Sequence, residues 1–112
     1  MGEKQVPQNN LSEISDLEVV QQVRTGDRKA YSILVRRHQK ALLRLCVRFL
    51  KDVDAAEDCV QESFIKAYER LHSFEARASF KSWLFQIAIN TAKNKMRDRF
   101  SNMSDIDDVP LA

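Results

Sequence analysis

The scarcity of helix-breaking residues is the feature that most limits how this chain can fold. Glycine and proline each occur only twice among 112 residues, and the apolar residues recur at helical rather than alternating spacing. No segment combines a two-residue apolar period with the turn residues that join strands. A chain of this length fits one domain with a buried core. We therefore predict a single all-α domain.

Two helices are predicted in the first half of the chain. Ser15 and Glu18 form a capping box that opens the first, and Gly26 ends it. Its core positions are Leu17, Val20 and Val23. Asp27 can cap the second helix, which keeps one apolar face over about six turns. That face comprises Tyr31, Leu34, Val35, His38, Leu42, Leu45, Cys46, Phe49 and Leu50.

Two further helices are predicted in the second half. Asp54 and Glu57 form a capping pair before a core stripe of Val60, Phe64, Ala67, Tyr68 and Leu71. Residues 72–78 break the period, after which Ser79 can cap a helix that runs to about Arg99. Its core positions are Phe80, Trp83, Leu84, Ile87, Ala88 and Thr91. The prediction is a compact bundle of about four helices over residues 15–100, with a disordered leader (1–14) and an acidic linker (101–112).

Charge is segregated along the sequence. Residues 24–49 carry eight cationic side chains and one anionic side chain. Residues 50–75 carry three cationic and seven anionic side chains, and residues 76–100 carry six cationic side chains and one anionic side chain. The formal net charge of +2 hides this alternation. Two surfaces of opposite sign predict two kinds of partner.

Several classes of function lack a sequence basis. Cys46 and Cys59 lie within amphipathic segments without zinc-knuckle or redox spacing, and we interpret them as reduced core thiols. With His38 and His72 on other segments, no metal site and no cofactor are predicted. No nucleophile–base pair or phosphate-binding glycine loop is present, so an enzyme is not predicted. No signal peptide or membrane span is found, which favours the cytoplasm.

The third and fourth segments resemble region 2 of the extracytoplasmic-function (ECF) sigma factors of the sigma-70 family. The resemblance rests on DCVQESFIKAY (58–68), LHSF (71–74) and FKSWLFQIAINTAKN (80–94). GDRKAYSILV (26–35) is similar to the opening of the same domain. In unbroken order the resemblance covers residues 17–99, and it implies a helical transcription initiation domain.

The resemblance implies that the acidic third helix docks on the coiled coil of the RNA polymerase β′ subunit. The matching positions are Asp58, Gln61 and Glu62, together with the exposed edge of Tyr68. The first three are three to four residues apart, so they share a helical face that can pair with arginines of a partner helix. Without the resemblance, a solvated acidic face would be the ordinary interpretation.

The resemblance also implies that the fourth helix and the preceding loop bind the promoter −10 element as melted, single-stranded non-template DNA. The candidate contacts on one helical face are Gln86, Asn90, Lys93, Asn94 and Arg97. Amides can address base edges, whereas cations suit phosphates. Asn90 and Phe74 are expected to form a pocket for one flipped base. Phe74 has an alternative role as a lid over the core, and Phe85 suits either environment.

The sequence allows alternatives for the basic helix and for the function as a whole. The basic second helix can follow duplex phosphates, cover the core with its aliphatic stems or face an anti-sigma factor, which is an expected partner. Sigma factors of this class carry a second domain with a helix-turn-helix, which these 112 residues do not contain. Two rival functions are a helix-turn-helix duplex binder, with its turn at residues 25–27, and a helical adaptor that binds only protein.

Overall fold

The computed structural model describes residues 14–111, and it describes the side chains of residues 14–98. Within this range it contains the four predicted α-helices. They are α1 (Asp16–Arg24), α2 (Tyr31–Leu50), α3 (Val53–Glu69) and α4 (Phe80–Leu111), with short 3-10 turns at Arg28–Ala30 and Leu71–Ser73. The predicted all-α class is therefore confirmed. Except for Ile14, the predicted leader lies outside the described residues.

The first helix forms as its local sequence predicts. The Ser15 hydroxyl accepts a hydrogen bond from the Glu18 amide, and the Glu18 carboxylate accepts one from the Ser15 amide. Gly26 has φ +117°, a conformation that favours glycine, and α1 ends before it. The core stripe differs in one position: Val19 is buried, whereas Leu17 is 40% exposed. The buried face of α1, which packs against α2, consists of Val19, Val20 and Val23.

The predicted caps of α2 and α3 were wrong. Asp27 makes no capping hydrogen bond, because a 3-10 turn leads directly into α2. Lys51 adopts a left-handed conformation (φ 56°) that ends α2 abruptly. This turn places Asp52 in an extended conformation, so its carboxylate, and not that of Asp54, accepts from the Ala55 amide.

The core lies between α2, α3 and α4, which pack on one another, and α1 covers one side of α2. Buried α2 residues recur every fourth position: Leu34, His38, Leu42, Cys46 and Leu50. Because α2 contacts all three other helices, it is a core helix and unsuited to entering a DNA groove. This arrangement argues against the rival helix-turn-helix function.

Polar groups in the core have partners. His38 Nε2 lies 2.7 Å from Asp16 Oδ2, and Arg37 donates to the other Asp16 oxygen at 2.8 Å, so α1 is tied to α2. Cys46 and Cys59 are free and buried, as predicted. A hydrogen bond between the two thiols, together with burial, raises the pKa of Cys46. Both side chains are fully buried and pack in the core.

The fourth helix begins as predicted and extends further than expected. Ser79 Oγ accepts from the Ser82 amide at 3.0 Å, which confirms Ser79 as the cap. The helix continues to Leu111, past the end expected near Arg99. The role of residues 101–112 as a linker stays a prediction. No helix in the described part of the chain is long and apolar enough to cross a membrane.

Candidate docking and nucleic-acid surfaces

The outer side of α3 carries an exposed stripe, which we call the α3 ridge. Its residues alternate in steps of four and three along the helix: Asp54, Asp58, Gln61, Ile65 and Tyr68. This is the spacing by which one helix packs along another in a coiled coil. Ile65 is 57% exposed, a large apolar side chain in the middle of polar neighbours. The sequence interpretation missed Ile65, although its position between Gln61 and Tyr68 in the repeat identifies it.

The apolar end of the ridge is held rigidly by α2. The Tyr68 ring packs edge-on against Tyr31, with 5.1 Å between ring centroids. The Tyr31 hydroxyl in turn donates a hydrogen bond to the Phe64 carbonyl at 2.6 Å. Burial raises the pKa of Tyr31, so the hydroxyl stays protonated as this donor. Tyr68 therefore presents a fixed, 38% exposed edge.

Glu62 differs from the other predicted docking residues because it is paired within the domain. Its carboxylate accepts from Lys95 of α4 at 2.9 Å and lies 3.4 Å from Lys66 Nζ. The hydrogen bond from Lys95, and then that from Lys66, lowers the pKa of Glu62. The side chain nevertheless remains 44% exposed. Asp58 and Gln61 are exposed at neighbouring positions of the same helix.

A polar cleft of about 440 Å³ lies between the end of α3 and the middle of α4. We call it the α3–α4 cleft. No carboxylate is among its lining residues, which are Lys66, Arg70, Ile87, Asn90, Thr91, Lys93, Asn94 and Arg97. Four cations around one cavity form a site for a polyanion. The sequence interpretation found the α4 side of this cleft and missed Lys66, in the last turn of α3, and Arg70, the residue that follows α3.

The polar face of α4 is continuous, as predicted. Gln86 Nε2 lies 3.4 Å from Asn90 Oδ1, and Arg97 donates to Asn94 Oδ1. Gln86, Asn90, Lys93, Asn94 and Arg97 are all exposed. Amides that can donate and accept therefore alternate with cations along one face. Such a face can contact both base edges and phosphates of a strand lying along α4.

The loop between α3 and α4 is anchored by a residue that the sequence interpretation passed over. Arg24 of α1 donates to the Leu71 carbonyl from Nη2 at 2.8 Å and from Nε at 3.2 Å. Its guanidinium also donates to the Phe74 carbonyl and lies 5.9 Å from the centre of the Phe74 ring. Because an arginine can satisfy several carbonyls at once, it fixes the chain path at the start of the loop.

Phe74 lies beneath the loop surface. It is only 4% exposed and packs against Phe80 and Trp83, with ring centroids 6.0 Å and 5.1 Å away. This is the lid role, which was the alternative for Phe74. Phe80 is buried as predicted, whereas Trp83 and Phe85 are partly buried against the core.

The structure does not bring Phe74 and Asn90 into one pocket. Phe74 lines a cavity of about 380 Å³ under the loop, next to the start of α1. Asn90 lines the α3–α4 cleft, and the two cavities share no lining residue. In this structure the two residues therefore line separate cavities, and their joint pocket stays a prediction. A DNA contact of Phe74 stays a prediction, one that requires the aromatic cluster to open.

The chain matches proteins of known family over most of its length. The family model for sigma-70 region 2 matches residues 34–100. The RNA polymerase sigma-H factor of Pseudomonas aeruginosa is 42% identical over 97 residues, which are 87% of this chain and 50% of that protein. The ECF RNA polymerase sigma-E factor of Haemophilus influenzae is 44% identical over 82 residues, which are 73% of this chain and 43% of that protein. The chain thus spans about half the length of these relatives.

Solved structures agree in fold. The NMR structure of an engineered region 2 of sigmaE in complex with GTAAAA is 40% identical with a TM-score of 0.74, and the match covers 80% of this chain and 94% of that one. The structure of CnrH in complex with the cytosolic domain of CnrY is 30% identical with a TM-score of 0.65, over 70% of this chain and 51% of that one. This chain therefore belongs to the sigma-70 family as a region 2 domain of the ECF RNA polymerase sigma factors, which are not enzymes.

Proposed function

We propose that this domain docks on the β′ coiled coil of bacterial RNA polymerase through the α3 ridge and binds the melted −10 element along α4. The observation that carries the proposal is the α3–α4 cleft, where Lys66 and Arg70 face Lys93 and Arg97 across a cavity that also exposes Asn90. One cavity therefore offers both charge for phosphates and an amide for a base edge.

A single strand fits this surface better than a duplex does. The cleft is concave and lies between two packed helices, so it suits a flexible strand with unpaired bases. Binding an unpaired strand also stabilises the melted state of the promoter. The engineered region 2 of sigmaE, which is similar to this chain in sequence and fold, is in complex with GTAAAA, which supports binding of a −10 sequence.

The α3 ridge suits a helical partner. Its coiled-coil spacing lets a partner helix lie alongside α3, with Ile65 and Tyr68 buried at the contact. Asp54 and Asp58 at the other end can pair with cations of that helix. Specific protein interfaces combine buried apolar and aromatic contacts with polar ones, and the ridge offers both.

We further propose a cytoplasmic location, where RNA polymerase works, and an anti-sigma factor as a second protein partner. The second proposal is supported by CnrH, which is in complex with the cytosolic domain of CnrY and is similar in fold to this chain. The basic residues on the outside of α2, among them Arg36, Lys40, Arg44 and Arg48, are exposed and available to any of the three roles that the sequence leaves open.

The DNA assignment is tested with fluorescently labelled oligonucleotides at low salt. Single-stranded GTAAAA should bind more tightly than its duplex and than a strand of scrambled sequence. Stronger binding to the duplex would favour a duplex-binding protein, and no binding to any oligonucleotide would favour an adaptor that binds only protein. Salt titration separates the phosphate contribution from base recognition.

The docking assignment is tested with Ile65→Asp and Asp58→Arg, measured by binding to RNA polymerase core. Each should weaken binding at least about tenfold, since a contact residue at the centre of an interface contributes about 2 kcal/mol or more. Val53→Asp is the matched control, because Val53 is also on α3 and is 57% exposed, as Ile65 is. Equal loss in the control, or unchanged binding by Ile65→Asp, would contradict the assignment.

A further inference from the structure

Glu62 connects the two surfaces. It lies on α3 one helical turn after Asp58, beside the docking ridge, and its side chain is 44% exposed. The same carboxylate is bound by Lys66 and Lys95. One acidic group is therefore accessible to a protein partner and also holds two cations of the domain.

Lys66 is the cation through which Glu62 reaches the cleft. Its Nζ lies 3.4 Å from Glu62 and donates to Thr91 Oγ1 at 3.2 Å, and both Lys66 and Thr91 line the α3–α4 cleft. A phosphate that approaches Lys66 meets the negative charge of Glu62 on the same ammonium group. Repulsion between the two anions lowers the affinity of the cleft for phosphate.

We infer that Glu62 is a positioning residue that restrains Lys66 until a protein partner engages Glu62. This inference rests on the proposed function and adds its regulation. When an arginine or lysine of the partner binds the Glu62 carboxylate, Lys66 is freed for a phosphate of the single strand. The partner then raises the affinity for DNA without touching it, and by thermodynamic reciprocity DNA raises the affinity for the partner.

The test compares the wild-type chain with the variant Glu62→Gln, in which the side chain keeps its size and loses its charge. We expect the variant to bind single-stranded GTAAAA about fivefold more tightly at low salt, the effect of one partly screened charge. Its salt dependence should be steeper by about 0.7 in log–log slope, because one more phosphate is contacted. A purely structural role of Glu62 would not steepen this slope.

Two controls isolate the role of Lys66. Glu57→Gln removes the same charge from α3 at a residue that lines the groove toward α2 and not the cleft, so it should leave the affinity nearly unchanged. In a Lys66→Met background, Glu62→Gln should no longer raise the affinity for the single strand above that of Lys66→Met alone. An equal gain in Glu57→Gln, or a gain that survives Lys66→Met, would overturn the inference.

A second measurement determines single-strand binding by the complex of this domain with RNA polymerase core, after the binding by core alone has been subtracted. There Glu62 is already engaged, so wild type and Glu62→Gln should bind the strand equally. A fivefold advantage that persists in the complex would show that docking does not release Lys66. If free wild type binds but Glu62→Gln gains nothing, this inference fails alone; if neither binds any single strand, the proposed function fails with it.

Discussion

The two sides of α3 differ in shape and in chemistry. The α3 ridge is convex, and its repeat of Asp58, Gln61, Ile65 and Tyr68 changes from polar to apolar along the helix. The α3–α4 cleft is concave, and its lining is cationic and amide-rich. A ridge with a fixed repeat selects a rigid helix, whereas a polar cleft accepts a flexible polyanion. One helix therefore presents two surfaces that do not overlap.

The boundary between the two surfaces is only one helical turn wide. Glu62 and Lys66 are four residues apart, and they form an ion pair across it. The ridge depends on α2 for support through Tyr31, whereas the cleft depends on α4. A substitution in the shared core should therefore disturb both surfaces, and a peripheral substitution should disturb one.

Phe80→Ala should have the largest effect and should destroy both surfaces together. Phe80 is 2% exposed and packs against His38, Phe74 and Trp83. Removing a buried aromatic ring costs about 3–5 kcal/mol, much of the stability of a small domain. Urea unfolding measures the loss. Trp83→Ala should cost less, because Trp83 is only partly buried; the reverse order would contradict the assigned core.

Arg24→Leu should loosen the loop while leaving the ridge intact. The substitution removes the donors to the Leu71 and Phe74 carbonyls, and hydrogen bonds from a charged donor contribute about 1.5–3 kcal/mol. Amide hydrogen exchange should accelerate at Ser73 and Phe74, whose amides donate to the Arg70 and Leu71 carbonyls, and binding to RNA polymerase core should persist in the folded fraction. Arg28→Leu, at an exposed cation, is the control. Unchanged exchange in the loop would show that Arg24 does not anchor it.

Two sets of substitutions in the cleft should weaken binding of the single strand in different ways. One is Asn90→Ala, and the other is the pair Lys93→Gln and Arg97→Gln. Loss of the amide should reduce discrimination among single-base variants of the −10 strand by about 1–3 kcal/mol at one position, by analogy with base contacts in duplex DNA. Loss of the cations should weaken all strands alike and reduce the salt slope by about 0.7 for each phosphate contact. If the Asn90 variant discriminates fully, base recognition lies elsewhere.

The sequence predicted features that depend on neighbouring residues. The Ser15–Glu18 capping box and the Ser79 cap involve residues three apart, so the pattern contains all the partners. The α4 polar face follows from helical period alone. Asp52 was missed as a cap because its geometry depends on the left-handed conformation of Lys51, which a lysine rarely adopts.

Features that depend on distant contacts could not be predicted. Phe74 is covered because Arg24, fifty residues earlier, binds its carbonyl. Lys66 and Arg70 join the cleft only when α3 packs on α4, and Glu62 meets Lys95 for the same reason. The family resemblance located the two surfaces, whereas their shared boundary required the packing of the helices.

The smallest expected effect sharpens the boundary, because the Glu62 pair should stabilise the fold only within a defined pH range. The hydrogen bond from Lys95, followed by that from Lys66, holds the pKa of Glu62 below its usual value of 4.5. A carboxyl with a lower pKa in the folded state stabilises the fold above its unfolded pKa, and this contribution is lost as the pH falls through the folded value. Glu62 likewise raises the pKa of Lys95 above 10.5 through the same hydrogen bond, so the upper limit of this pH range lies in the alkaline region.

Wild type should therefore exceed Glu62→Gln in unfolding free energy at neutral pH, by less than about 1 kcal/mol for so exposed a pair. The difference should shrink below about pH 4.5 and vanish in stronger acid. Urea unfolding at pH 7 and pH 3 measures it, and in a Lys95→Met background the difference at pH 7 should be smaller. A difference that grows with acidity would mean that Glu62 does not act as the paired carboxylate on which the boundary between ridge and cleft depends.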